Sequence, residues 1–138
     1  DIWEKPNGDL IVIDVKSTSK NVFDWEDTYS KWEYAKGYRR QLEMYQWLLE
    51  KNGFNVASEG YLVYYNGKKH EPMFNQQLTF DLHLVKLECD NSWVEEAVLN
   101  AKATLDGDMP KPARSCENCN YLRKRWEVSQ KDPNKLVD

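Results

Sequence analysis

The chain has 138 residues, enough for one domain with a sizeable core, and its formal net charge is −4. Hydrophobic residues make up 41% and aromatic residues 13%, which excludes a disordered chain. No apolar run approaches the length of a membrane span, and nothing resembles a secretion signal. Three cysteines would always leave one unpaired in a disulfide framework. We therefore expect a cytoplasmic protein in a reducing environment, with no membrane partner.

The acidic balance argues against a uniformly basic nucleic-acid-binding domain. Cationic residues nevertheless cluster at 39–40, 68–70 and 123–125. Each cluster taken singly is explained more simply as a solvated surface, so local binding of a polyanion stays open. The chain begins with Asp1, in what reads as the middle of a strand. We expect that an N-terminal part precedes it.

A β-hairpin is predicted at the start of the chain. Two strands flank the dipeptide Asn7-Gly8, and the second, residues 10–16, is almost continuously apolar. Asn-Gly is a strong hairpin signal because both residues tolerate the positive φ of a type I′ turn. A two-residue turn, or a four-residue loop, pairs positions that sum to fifteen, so that Asp1 faces Asp14. A three-residue loop would break this register.

The longest predicted element is a helix. Ser30 and Glu33 form a capping-box pattern, an apolar stripe repeats at helical spacing through residues 38–49, and Gly53 closes the helix. The other predictions are a loop over residues 17–29, a strand over 60–65 with a turn at 66–67, a half-buried strand over 78–84, a helix over 93–105 and an irregular C-terminal stretch. This order predicts an α/β domain of α+β type.

Asp14 and Lys16 lie on one face of the second strand, since side chains in a strand alternate. An unpaired charge in an otherwise apolar strand is costly, and an opposed Asp1 would add repulsion about 5 Å away. Lys16 supplies part of the required positive charge, and a hard divalent cation such as Mg²⁺ or Mn²⁺ suits the remainder. The simpler alternative is a surface salt bridge between Asp14 and Lys16.

Gln41 lies on the apolar stripe of the long helix, four residues before Tyr45. A glutamine there needs hydrogen-bond partners, and capping a neighbouring strand would satisfy it equally well. Asp1, the Asp14-Val15-Lys16 run and the Gln41-x-x-x-Tyr45 pattern together resemble the motifs of RecB-like nucleases in the PD-(D/E)XK superfamily. The resemblance covers most of the chain.

The resemblance implies a restriction-endonuclease-like core over residues 1–115, with a mixed central sheet flanked by helices and a tail over 116–138. It implies Asp1, Asp14 and the Val15 carbonyl as metal ligands. Lys16 then positions a water, while Gln41 and Tyr45 orient the substrate. The implied function is Mg²⁺- or Mn²⁺-dependent cleavage of DNA, exonucleolytic rather than endonucleolytic. Repair, recombination or phage- or CRISPR-type processing is the implied role, with a helicase or recombination protein as a candidate partner.

The family usually carries a helix before the first Asp, and we expect that the sequence from Asp1 onwards lacks it. A degenerate module that grips nucleic acid without cutting it is therefore a second hypothesis. Cys116 and Cys119 form half of a four-ligand metal site, whereas Cys89 reads as a buried strand residue. Some relatives close the domain with an iron–sulfur cluster, but two C-terminal cysteines do not complete one. A structural domain built on a Cys-bound metal is the third hypothesis.

Overall fold

A computed structural model describes residues 1–71 and 76–131 of the chain. It divides into two compact units, Asp1–Val98 and Leu99–Asp138. The division into a core over residues 1–115 and a tail over 116–138 stays a prediction. The elements, in chain order, are β1 (Ile2–Glu4), β2 (Leu10–Thr18), α1 (Trp25–Lys31), α2 (Glu33–Lys51), β3 (Val56–Gly67), β4 (Phe80–Glu88), α3 (Val94–Asp106) and α4 (Glu117–Lys131).

The first unit is built on a four-stranded mixed sheet in the order β1-β2-β3-β4. β2 and β3 are parallel, and the outer pairs are antiparallel. α1 and α2 connect the parallel strands, which need such a crossover because a tight turn cannot join them. The predicted mixed sheet with flanking helices is confirmed. The core between α2 and the sheet consists of Val12, Leu42, Leu62, Tyr64 and Val85.

The β1–β2 hairpin forms as predicted, but its register is shifted by one residue. Ile2 pairs with Val12. Asp1 exchanges two backbone hydrogen bonds with Ile13, each 2.9 Å long. The prediction that Asp1 directly faces Asp14 is therefore wrong.

The hairpin loop explains the shift. The Lys5 N–H donates to the Asp9 carbonyl at 2.9 Å, and the Gly8 N–H donates to the Lys5 carbonyl at 2.8 Å. Gly8 has φ +88°, the left-handed conformation that a glycine adopts without steric cost. This is a three-residue loop ending in a left-handed glycine, a common alternative to the two-residue turn. The Asn-Gly signal located the hairpin correctly but did not fix its loop length.

The start and end of α2 differ in how well they were predicted. Ser30 lies inside α1, and α2 follows Trp32, which makes no side-chain capping bond, so the capping box at Ser30 is wrong. The predicted stop at Gly53 is confirmed. Gly53 has φ +85°, and its N–H donates to the Glu50 carbonyl while Phe54 donates to the Leu49 carbonyl. These two bonds satisfy the last carbonyls of the helix.

The segment predicted as a loop over residues 17–29 is shorter than expected. β2 continues to Thr18, and α1 begins after Asp24, whose carboxylate accepts a 3.0 Å bond from the Asp27 N–H. That N-cap is the start signal missed in the sequence. The turn predicted at 66–67 is also wrong, because β3 continues through both residues. Asn66 instead bonds the backbone of Lys20 twice, and these bonds hold the crossover segment to the sheet.

β4 forms where a half-buried strand was predicted, but the leucines that alternate with polar residues in it lie on the exposed face. Leu82 and Leu84 are 62% and 55% exposed, whereas Val85 is 8% exposed. The pairing of Val85 with Leu62 places the odd-numbered positions of β4 on the core side. Alternation alone could not show which face is inward, because both faces of this strand carry leucine or valine.

The helix predicted over residues 93–105 is confirmed as α3, within one residue at each end. The prediction of an irregular C-terminal stretch is wrong over residues 117–131, and residues 132–138 lie outside the described residues. α4 occupies Glu117–Lys131 in the second unit. Its aromatic residues are exposed, Tyr121 at 63% and Trp126 at 67%. The sequence of α4 therefore lacks the periodic apolar face that would have predicted a helix.

Candidate active site

Four predicted site residues form one continuous chain of contacts between β2 and α2. Lys16 Nζ lies 2.6 Å from Asp14 Oδ2 and donates to Gln41 Oε1 at 3.0 Å. Gln41 Nε2 donates in turn to the Tyr45 hydroxyl at 2.9 Å. Tyr45 is 43% exposed, so the chain runs from a half-buried carboxylate to the surface.

Local structure explains why these residues meet. Asp14 and Lys16 follow Val12 at strand spacing and share its face, the side on which α2 packs. Gln41 and Tyr45 are four apart on α2, so their side chains are neighbours on one helix face. A polar row on the strand and a polar row on the helix therefore meet at the edge of the apolar contact.

Asp14 has a buried carboxylate oxygen. Its Oδ2 atom lies 2.6 Å from the Lys16 ammonium, which pairs with it electrostatically, and makes no aligned hydrogen bond to the described residues. An ionised carboxylate oxygen held in this way has further lone pairs for a cation, so Oδ2 fits a ligand of a hard divalent cation. Residues 1–71 and 76–131 hold no group of three or more His, Cys, Asp or Glu side chains placed to bind a metal.

Asp1 lies beside the chain of contacts. Directly paired residues share a sheet face, so its pairing with Ile13 assigns it to the opposite side from Asp14. Asp1 nevertheless lines a groove of about 310 Å³ together with Tyr45 and Leu48. The structure thus brings Asp1 to the Tyr45 end of the site and not directly against the Asp14 carboxylate.

Val15 lies between Asp14 and Lys16 in β2, and its side chain is 48% exposed. Strand alternation puts that side chain on the face away from α2. The role expected of Val15 involves only its backbone carbonyl, so the side chain's position does not bear on it. A substitution that keeps a β-branched residue here leaves the strand unchanged.

Tyrosine rings surround Lys16 on the side away from Tyr45. Its Nζ lies 4.3 Å from the centroid of the Tyr38 ring, a favourable cation–π distance. Tyr64 pairs with Lys16 across the parallel strands and is 4% exposed. Burial, followed by electrostatic interaction with Tyr38, Tyr34 and Asp14, raises the pKa of Tyr64. Tyr64 is therefore a neutral hydroxyl at physiological pH.

Two buried polar residues of α2 were not predicted from the sequence. Gln46 is 2% exposed, and its Nε2 donates to the Ala57 carbonyl at 2.9 Å. Gln46 thus caps the neighbouring strand, which is the role considered as an alternative for Gln41. Glu43 is 4% exposed and accepts bonds from Arg39, Trp93 and the Asp90 backbone. The helical spacing of polar residues offered the only signal, and it did not separate these two from surface residues.

The three basic clusters are partly engaged within the fold. Arg39 Nε donates to Glu43 at 2.8 Å, which raises the pKa of the guanidinium. Lys68 pairs with Asp81 at 2.9 Å, which raises the pKa of its ammonium group. Arg123 donates to Asn120 within α4. The ion pair of Lys68 supports the interpretation of that residue as ordinary surface charge.

Cys116 and Cys119 lie at the start of α4, and the Cys119 N–H donates to Cys116 Sγ at 3.4 Å. That bond lowers the pKa of the Cys116 thiol. Cys89 packs half-buried against the core of the first unit, next to the end of β4, and burial raises its pKa to about 11. The structure thus brings the two C-terminal cysteines together, and the roles proposed for them stay predictions.

Comparison with known proteins identifies a family. A family model described as the PD-(D/E)XK nuclease superfamily matches residues 1–123. No curated protein and no solved structure matches the chain. The mixed sheet with flanking helices is the restriction-endonuclease-like arrangement expected of that family. Within residues 1–71 and 76–131, no helix is both long and apolar enough to cross a membrane.

Proposed function

Because the chain belongs to the PD-(D/E)XK nuclease superfamily, we propose that it hydrolyses phosphodiester bonds of DNA with Mg²⁺ or Mn²⁺. The observation that carries this proposal is the contact chain Asp14–Lys16–Gln41–Tyr45, which begins at the buried Asp14 carboxylate oxygen that pairs with Lys16. A surface salt bridge would have no need of the glutamine and tyrosine beyond it.

Asp14 and the Val15 carbonyl are the proposed ligands nearest the centre, and Asp1, which precedes β1, is the third proposed ligand. A divalent cation held there would polarise a phosphate oxygen as a Lewis acid and acidify a water. Directly paired positions place Asp1 on the other face, so its ligand role requires that the Asp1 side chain turns towards Asp14. Asp14 is accordingly the ligand with the stronger support.

Lys16 is the proposed water-positioning group. Its ammonium carries three N–H donors, and one is committed to Gln41. Asp14, 2.6 Å away, holds the ammonium in place electrostatically. A remaining N–H can then bond the attacking water or a phosphate oxygen, which fixes the approach of the water to phosphorus.

Gln41 and Tyr45 are the proposed substrate-orienting pair. The Tyr45 hydroxyl accepts from Gln41, so its own proton is available to a phosphate oxygen at the surface. The Gln-x-x-x-Tyr contact also supports assignment to the RecB-like branch, and with it exonucleolytic action in repair, recombination or phage- or CRISPR-type processing. A helicase or recombination protein is the partner that this branch implies.

The test is cleavage of end-labelled linear DNA, single- and double-stranded, with Mg²⁺, with Mn²⁺ and with EDTA. We expect metal-dependent cleavage that Asp14→Asn abolishes. Asp81→Asn, at an exposed carboxylate paired with Lys68, is the matched control and should cleave normally. Cleavage that persists in Asp14→Asn at the wild-type rate would refute the proposal.

A second candidate is a module that binds nucleic acid without cutting it. The observation that favours it is the absence of a three-ligand group among residues 1–71 and 76–131, together with the shifted position of Asp1. This candidate predicts salt-sensitive DNA binding with no metal-dependent product, because each phosphate contact releases about one counterion. The cleavage assay above separates the two candidates.

A further inference from the structure

Three aromatic rings form a ladder from solvent to the candidate site. Trp32, at the junction of α1 and α2, is 53% exposed, and Tyr34 is 47% exposed. Their ring centroids lie 6.1 Å apart, and Tyr34 lies 5.6 Å from Tyr38. The ladder ends under Lys16, whose Nζ lies 4.3 Å from the Tyr38 ring. Rings this exposed contribute little to the core, so packing does not account for them.

A cavity of about 230 Å³ opens beside the inner end of this ladder. Aromatic side chains supply much of its wall: Tyr34, Tyr38, Tyr64 and Phe23. Tyr64 is 4% exposed, and its hydroxyl has no hydrogen-bond partner among the described residues. The Tyr64 ring therefore forms part of the cavity wall, while its hydroxyl lies beneath the accessible surface.

The cavity also contains cationic and hydroxyl groups. Lys20 lines it, and its Nζ donates to the Thr28 hydroxyl at 2.6 Å. The combination of exposed aromatic rings and an ammonium group matches two parts of one nucleotide, a flat base and an anionic phosphate. A base pair already stacked in a duplex presents none of its faces to such rings.

We propose that the ladder Trp32–Tyr34–Tyr38 and the cavity at its inner end hold unpaired nucleotides of a single strand and lead that strand to Lys16. Bases stack on the exposed rings, and one base enters the cavity, where it packs against the aromatic wall. This inference rests on the proposed nuclease function and names its substrate as unpaired nucleic acid. Sequence-independent stacking of this kind is typical of single-strand grooves.

The experiment tests whether aromatic rings of the protein contact bases of the strand, by removing the rings in variants and the bases in a second strand. Binding is measured in EDTA, where no cleavage interferes, by fluorescence anisotropy of a labelled strand of about 12 nucleotides. A second strand has the same backbone with abasic sites throughout. The variants are Trp32→Leu and Tyr34→Leu, singly and together, with Trp32→Phe as the ring-preserving form. Phe54→Leu is the matched control, because Phe54 is also 53% exposed but lies beyond the other end of α2.

We expect the double Leu variant to bind the normal strand about tenfold or more weakly, as loss of base stacking predicts. It should bind the abasic strand as weakly as the wild type does, because the bases are then already missing. Trp32→Phe and Phe54→Leu should bind both strands like the wild type. The wild type should also prefer the single strand to a blunt duplex of equal length.

Equal losses on the normal and abasic strands would overturn the proposal, since the rings would then not contact bases. A preference for the duplex, or an equal loss in Phe54→Leu, would overturn it as well. Failure of this inference is distinct from failure of the proposed function. If the protein cleaves DNA but loss of the rings weakens binding equally with and without bases, only this inference fails. If loss of the rings weakens binding only when the bases are present but no DNA is cleaved, only the catalytic proposal fails.

Discussion

Glu43 is the buried ionisable residue whose removal should damage the fold most. It is 4% exposed and accepts three hydrogen bonds: from Arg39 Nε at 2.8 Å, from Trp93 Nε1 at 2.7 Å and from the Asp90 N–H at 3.2 Å. The bonds from Trp93 and Asp90 join α2 to the segment between β4 and α3, whereas the bond from Arg39 lies within α2. Glu43→Ala removes both acceptor oxygens, and with them all three bonds, and leaves the Trp93 and Asp90 donors without this partner.

The magnitude follows from the fate of each donor. The two donors from Trp93 and Asp90 cost about 1–3 kcal/mol each when left unsatisfied. The Arg39 side chain is 38% exposed and turns to water, so it adds little. We therefore expect Glu43→Ala to lower the free energy of unfolding by about 4 kcal/mol. With a slope near 2 kcal/mol per molar, the urea midpoint falls by about 2 M.

The assay is equilibrium urea unfolding followed by tryptophan fluorescence and by far-ultraviolet circular dichroism. Glu43→Gln keeps one acceptor oxygen and should lie between Glu43→Ala and the wild type. Glu95→Ala is the matched control, because Glu95 is exposed and pairs only with Lys51 at the surface. Its effect should stay within about 0.5 kcal/mol. A Glu43→Ala midpoint equal to that of the Glu95→Ala control would refute the reasoning.

Three further predictions concern other buried contacts. Gln46→Leu leaves the Ala57 carbonyl without its donor and should cost about 1–3 kcal/mol in urea unfolding, and an unchanged midpoint would contradict this. Gly60→Ala places a Cβ 3.2 Å from a Leu42 methyl and 3.3 Å from a backbone oxygen, so we expect a lower melting temperature. At pH 7.5, iodoacetamide should modify Cys116 faster than Cys89, because burial raises the pKa of Cys89 to about 11 while the bond from Cys119 lowers the pKa of Cys116. Mass spectrometry of quenched samples gives the order, and the reverse order would contradict it.

Part of the site could be predicted because two simple periodicities place it. Asp14 and Lys16 share a face by strand alternation, and Gln41 and Tyr45 share a face by helical spacing. Neither the strand alternation nor the helical spacing predicts that these two faces contact each other. That step came from the resemblance, and the 3.0 Å bond between Lys16 and Gln41 is consistent with it.

The hairpin register could not be predicted in the same way. An Asn-Gly pair fits both a two-residue turn and a three-residue loop with glycine in the left-handed region, and the two differ by one position. The structure has the second form, with Gly8 at φ +88°. One residue of shift moves Asp1 from the Asp14 side to the Ile13 side, so the expected pair of carboxylates did not form.

β4 shows a second limit of sequence patterns. Its sequence carries apolar residues on both faces, so the choice of inward face depends on pairing with β3 and not on local preference. Val85 lies opposite Leu62 and is buried, whereas Leu82 and Leu84 stay exposed. α1 and α4 were not predicted for a related reason. The N-cap at Asp24 and the exposed faces of α4 are weak sequence signals for a helix when the tertiary contacts are not known.

We propose that Lys16 acts at the reacting centre of a nuclease. The most direct measurement is the single-turnover rate of DNA cleavage in Mg²⁺ for the wild type, for Lys16→Ala and for Lys86→Ala. Lys86 is an exposed lysine on β4 that pairs with Glu88, so its variant controls for loss of charge. We expect Lys16→Ala to lose about a hundredfold or more in rate with its fold intact by circular dichroism, while Lys86→Ala cleaves normally. Full activity in a folded Lys16→Ala protein would contradict the account.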